Sequence, residues 1–145
     1  MKRRSALWYL PALLILLALS LFSSVSCIGS QGTRVSAFYD AGASDLTMTG
    51  AQFSQYLLYR FDTDASQRIL TTPSAADIVA RFSSPVVGDV AIFAVAADGS
   101  HAVTVSGGMN VTVKPGASTV AENTTLMIFC ELGNVTSGSE AVTLY

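Results

Sequence analysis

The spacing of apolar and polar residues changes twice along this chain. Residues 6–22, "ALWYLPALLILLALSLF", form a long apolar run. From residue 46 to residue 89, short apolar stretches alternate with helix-start signals. From Val90 onward a period of two dominates, which is the signature of β-strands. In that last part, "VAIFAVAA" (90–97) is apolar on both faces. The "DG" at 98 and 99 is the strongest short-range hairpin signal, so "HAVTV" is expected to return beside it. "SGG" then turns into "MNVTVK", with Met109, Val111 and Val113 expected inward and Asn110, Thr112 and Lys114 outward. After "PGAS" come "TVAE", "TTLMIFCEL" and "AVTLY". Leu126, Ile128, Cys130 and Leu132 share one face, as do Val142 and Leu144. Roughly seven or eight short strands with turns every 8 to 12 residues predict a mainly β fold, an antiparallel β-sandwich or jelly-roll-like domain. No internal repeat is evident along the chain. A terminal strand at a sheet edge invites aggregation, so "AVTLY" is expected between other strands or against a neighbouring subunit. The two-faced strand 90–97 likewise calls for cover on its second face.

Upstream, "TGAQ" (49–52) has the spacing of a capping box and predicts a short helical turn. "QYLLYRF" (55–61) predicts a strand, "DTDAS" a turn and "QRILT" a second strand. "TTPSAADIVARF" predicts one short helix over about 73–82. Thr72 is its expected N-cap, Pro73 its first position, and Ala76, Ile78, Val79 and Phe82 form a partial apolar stripe. Residues 28–45, rich in Gly, Ser and Ala without a period, are expected to be a flexible linker, with the sandwich domain over 46–145.

The composition, 50% hydrophobic and 12% charged with mean hydropathy +0.48, is greasy for a soluble domain. The N-terminus accounts for part of that excess. Lys2, Arg3 and Arg4 precede the apolar run, and Ser23 to Ser26 follow it, the layout of a signal peptide over residues 1–27. The 17 residues 6–22 also reach the short end of a bilayer span, so a retained hydrophobic helix that anchors the chain in a membrane is the rival. A lipid on Cys27 is a third alternative. In each case the chain is exported or membrane-anchored. Eight basic residues less those three leave five against ten acidic ones, a net charge of −5. Nucleic acid is therefore not expected as a partner, because phosphate binding needs clustered positive charge.

Candidate chemistry is sparse. The one histidine, His101, opens the strand after the "DG" turn, and the carboxylates fall mostly in turns and helix starts, where Asp serves the backbone. "DTD" at 62–64 offers two carboxylates to a cation but lacks the further ligands of a calcium loop. With neither a phosphate-cradling glycine loop nor a GxSxG, no enzyme is expected, and no catalytic, cofactor-binding or metal-binding residues are assigned. Cys130 is expected to be a small buried apolar residue, and its pairing with Cys27 stays open. Asn110, Asn123 and Asn134 all lie in N-x-T sequons and are candidate glycosylation sites, with simple turn-forming as the alternative.

The stretches "MTGAQFSQYLLYR", "ILTTPSAADIVARF", "VVGDVAIFAVA", "VTVSGGMNVTV" and above all "NVTSGSEAVTLY" resemble a short domain of structural and surface proteins in tailed phages and large double-stranded DNA viruses. The resemblance covers about 100 residues and is one of strands and turns, with no site to carry over. It implies a virion decoration or fibre module at a virion surface, commonly a homotrimer that acts by self-association. The leader and the "LMIFCEL" strand depart from that pattern. The competing expectation is an extracellular or membrane-tethered, adhesin-like module whose turns contact a host surface receptor or glycan.

Overall fold

A computed structural model describes residues 36–145. The leader, its cleavage or lipidation, and any bridge from Cys27 lie outside the described residues. Among the described residues there are ten strands, two short α-helices and one 3-10 turn, Pro115–Ala117. In chain order the strands and α-helices are β1 (Ser36–Gly42), β2 (Leu46–Thr47), α1 (Gly50–Gln55), β3 (Tyr56–Asp62), β4 (Arg68–Thr71), α2 (Ala75–Val79), β5 (Val90–Asp98), β6 (Val103–Ser106), β7 (Val111–Val113), β8 (Thr119–Val120), β9 (Thr124–Asn134) and β10 (Ala141–Leu144). They build a six-stranded sheet, β1-β3-β5-β9-β10-β7, and a four-stranded sheet, β2-β4-β6-β8. The inner faces of both supply one core, with Tyr59, Phe61, Phe93, Ile128 and Leu144 from the first and Leu70, Val103 and Val120 from the second.

The mainly β expectation holds, but the sheets are mixed rather than antiparallel. β1, β3 and β5 run parallel to one another, as do β2, β4 and β6, and β7 is parallel to β10. Antiparallel pairs join β5 to β9, β9 to β10 and β6 to β8. The chain steps from one sheet to the other at every connection from β1 to β9, and among the first six strands those two apart in sequence become parallel neighbours. Greek-key hairpins, antiparallel by construction, do not describe these first six strands.

The "DG" at 98 and 99 is accordingly no hairpin. Gly99, at φ +144°, carries the chain from the six-stranded sheet across to β6 in the other. A Cβ there would lie 2.5 Å from the Asp64 backbone nitrogen, so the glycine is required by a close approach of two corners. The same local chemistry serves hairpin and corner alike, which is why the dipeptide misleads.

The winding contains a repeat that sequence spacing conceals. Leu46, Leu70 and Val105 stand side by side, as do Thr47, Thr71 and Ser106. A capped helix follows each of the first two strands in these rows, β2 and β4. Thr49 caps α1, with both halves of the predicted capping box formed. Ser74 caps α2, its hydroxyl accepting from the Asp77 N–H. The spacing between these equivalent positions is unequal, Leu46 to Leu70 against Leu70 to Val105, so no fixed period appears in the sequence. The third turn has no helix, and in it Gly107 and Gly108 pass too close to their neighbours for side chains. A Cβ on Gly108 would meet the Pro73 carbonyl oxygen at 2.4 Å.

Three further expectations are corrected. The linker assigned to 28–45 contains β1, whose Tyr39 ring packs edge-on against Tyr56 at 5.2 Å and near Tyr59 at 6.1 Å. The helix set at 73–82 is shorter, Ala75–Val79, and starts at Ser74 rather than Thr72, since a side-chain oxygen nearer the first turn reaches its free N–H groups. Met109 is 73% exposed rather than inward, because the chain is still turning there and has not entered β7. The terminal strand β10 does lie between two others, β9 and β7.

Candidate functional site

The alternation in β5 buries Ala91, Phe93, Val95 and Ala97 and turns Val90, Ile92, Ala94 and Ala96 outward. The register of the six-stranded sheet carries that outer set across its neighbours. Phe38, Leu58, Ala94 and Met127 stand in one row over β1, β3, β5 and β9. In the next row Ile92 faces Phe129, and Phe129 exchanges backbone hydrogen bonds of 3.1 and 2.9 Å with Tyr145. Phe38, Val90, Ile92, Met127, Phe129 and Tyr145 are 38–58% exposed. With large side chains of 150 to 250 Å² each, the band leaves roughly 500 Å² of apolar surface in water, at the upper end of what a monomer shows.

The outer face of the four-stranded sheet differs sharply. Its rows are Thr47, Thr71 and Ser106, and Ile69, Thr104 and Thr119, with Ile69 as their one large apolar side chain. Threonine hydroxyls keep a β-branched strand former soluble. The two sheets therefore share a core but present opposite outer faces, one wet and one apolar.

The apolar band ends at a charged rim where β1, β3 and β5 finish. Asp40 stands opposite Arg60, and Asp62 opposite Asp98. Arg60 donates from its Nε to Asp98 Oδ2 at 3.0 Å, makes a second, shorter contact with the same oxygen, and has Asp40 Oδ2 at 3.7 Å. The hydrogen bonds from Arg60 to Asp98, followed by the attraction of that carboxylate, push the guanidinium pKa further up. Asp40, Arg60, Asp62, Asp64 and Asp98 line a groove of about 230 Å³. The Asp62 side chain accepts from the Asp64 N–H at 3.1 Å, an Asx turn that accounts for the "DTD" motif by backbone chemistry. Among the described residues, no group of three or more His, Cys, Asp or Glu side chains is disposed to hold a metal ion. At the opposite end of the band the Tyr145 phenol, hydrogen-bonded to Glu131, is pushed up by that bond.

His101 is an exposed corner residue whose Nδ1 lies 2.8 Å from the Thr63 carbonyl oxygen and 3.3 Å from Ser100 Oγ. The Thr63 contact, with the bond from Ser100 Oγ to the Asp64 carbonyl at 3.2 Å, pins the β3–β4 corner to the β5–β6 corner. Cys130 is buried and free, and burial pushes its thiol up to about 12. The three sequon asparagines do not converge. Asn110 precedes β7, Asn123 precedes β9 at the charged rim, and Asn134 closes β9.

The sequence pointed to a second apolar face only in strand 90–97. Met127 and Phe129 repeat that signal in "TTLMIFCEL", but Phe38 and Tyr145 join the band only through register. No family model, curated protein or solved structure matches this chain.

Proposed function

We propose that this domain is a non-enzymatic structural or surface module that works by meeting copies of itself through the outer face of its six-stranded sheet. The observation that carries this reading is the contrast between the two outer faces. Roughly 500 Å² of contiguous apolar surface stands against a threonine-lined face on the same sandwich, and it approaches the ~800 Å² per partner of a standard interface once its polar margin is added. A single flat face of one kind meets its own copy most simply about a two-fold axis, residue i against residue j and j against i. Sheets pack in this way about 10 Å apart in sandwich cores. The setting we propose, a virion decoration or fibre-type protein, rests on the strand-and-turn resemblance described above. Sedimentation of residues 28–145 tests the association: dimers or larger species at micromolar concentration are expected, and a clean monomer throughout would overturn it.

A second reading has its own observation. Val86, Val87 and Met109 are 58%, 64% and 73% exposed, and they gather at one end of the sandwich, where the Gly88 N–H bonds Leu132 and the Asn110 carbonyl bonds Val142. An apolar tip of that kind suits a tethered, adhesin-like module that contacts a host surface receptor or glycan. Fractionation separates the two readings, with purified particles carrying the protein under the first and cell envelope or medium under the second.

A further inference from the structure

We propose that the exported domain carries N-linked sugar on Asn110 and Asn123. Each of the three asparagines in the chain is followed two residues later by threonine, at Thr112, Thr125 and Thr136. Serine and threonine make up roughly a fifth of the chain, so the coincidence of all three is about one in a hundred by chance. Turn chemistry explains part of this. Asn110 and Asn123 sit at φ +60° and +50°, in the left-handed region that asparagine tolerates better than most residues. That accounts for the asparagines but not for the threonine two positions on.

The geometry separates the three sequons. Asn110 and Asn123 are exposed, each in the turn that leads into a strand, and Thr112 and Thr125 are exposed near the starts of those strands. Among the described residues no hydrogen bond engages the side-chain amide of either asparagine. Asn134 is half-buried beside Ala141, and its Oδ1 accepts from the Thr136 N–H at 2.9 Å. Placement agrees with accessibility. Asn110 accepts from the Val142 N–H at one end of the six-stranded sheet, and Asn123 donates to the Gly99 carbonyl at the other. Sugar at these two points extends past the ends of the sandwich and leaves the apolar band between them uncovered, so the modification stands independently of self-association.

The step is a group transfer. The asparagine Nδ2 attacks the anomeric carbon of a lipid-pyrophosphate-linked oligosaccharide. A C–N bond forms, the C–O bond to the pyrophosphate breaks, the lipid pyrophosphate leaves with that electron pair, and one amide proton passes to a base of the transferase.

The test places the full chain behind an added cleavable export signal in a eukaryotic secretory host, so that it meets the transferase whatever its own leader does. Peptide mapping after enzymatic deglycosylation, which leaves aspartate at each formerly modified asparagine, reads the sites. Aspartate at both 110 and 123 is expected. Asn→Gln at a left-handed position can damage the fold, so Thr112→Val and Thr125→Val are the matched variants. Each should lose one glycan of mass while leaving the backbone at the asparagine alone. Thr136→Val should leave the occupancy of Asn110 and Asn123 unchanged. Either of these two asparagines found bare in the wild-type chain overturns the proposal.

Discussion

Replacing Phe129 by threonine measures how much the apolar band contributes to self-association. Phe129 lies on β9, between Ile92 and Tyr145, and is 45% exposed. For a side chain of about 200 Å² that is roughly 90 Å² of ring in water. Covering it is worth about 2 kcal/mol at 25 cal/mol per Å². In a two-fold interface the residue appears twice, so a dimer loses up to about 4 kcal/mol, or about a thousandfold in dissociation constant. Threonine, like phenylalanine, is favoured in strands, and on the outer face the change removes no core packing, so folding stability should change by no more than about 0.5 kcal/mol. Sedimentation velocity across the micromolar to submillimolar range reads the association, and circular dichroism confirms the fold. Ile69→Thr on the other sheet is the matched control, since Ile69 is 44% exposed on the threonine-lined face and should have no effect. If Phe129→Thr folds normally and associates as the wild type does, or if Ile69→Thr is the variant that weakens association, the assignment of the face is wrong.

Three other predictions concern stability. The Cys130 thiol is protonated in the folded chain up to about pH 12, whereas the unfolded chain releases that proton near 9. Its contribution is therefore complete below about pH 9 and is lost above it, by about 1.4 kcal/mol per pH unit until the folded thiol also ionises. Urea titrations at about pH 8 and about pH 10 should show this decline, and Cys130→Ala should flatten it. Thr63 is fully buried and its Oγ1 has no partner among the described residues, so Thr63→Val, which keeps the shape and removes the hydroxyl, should raise stability by about 1 kcal/mol in the same titration. Gly99→Ala would place a Cβ 2.5 Å from the Asp64 nitrogen at a left-handed φ, so a cost of about 3 kcal/mol and a fall in melting temperature of more than about 10 °C are expected by calorimetry; an unchanged midpoint would refute the close approach.

Local chemistry was legible wherever its partners were local. The capping box at Thr49 and Gln52 closes within four residues, so spacing alone predicted it. Parity along "TTLMIFCEL" placed Ile128, Cys130 and Leu132 on the buried face because side-chain direction alternates within any strand. The second, unburied face of β5 was visible for the same reason. The band's outer members were not, since Phe38 belongs to a strand hidden in a stretch of Gly, Ser and Ala, and Tyr145 reaches the band by lying beside Phe129.

The sequence by itself determined that the described region is mainly β, where most of its strands fall, and which face of each strand is oily, because these depend on residue type and a two-residue period. Tertiary structure alone decided which strands became neighbours. Parallel or antiparallel pairing turns on whether a connection stays in one sheet or crosses to the other, and at "DG" that choice depends on the close approach of Gly99 to the Asp64 backbone, a contact between residues far apart in sequence. The same pairing assembled outward apolar residues from β1, β3, β5 and β9, together with Tyr145, into one surface, a property that no single strand possesses.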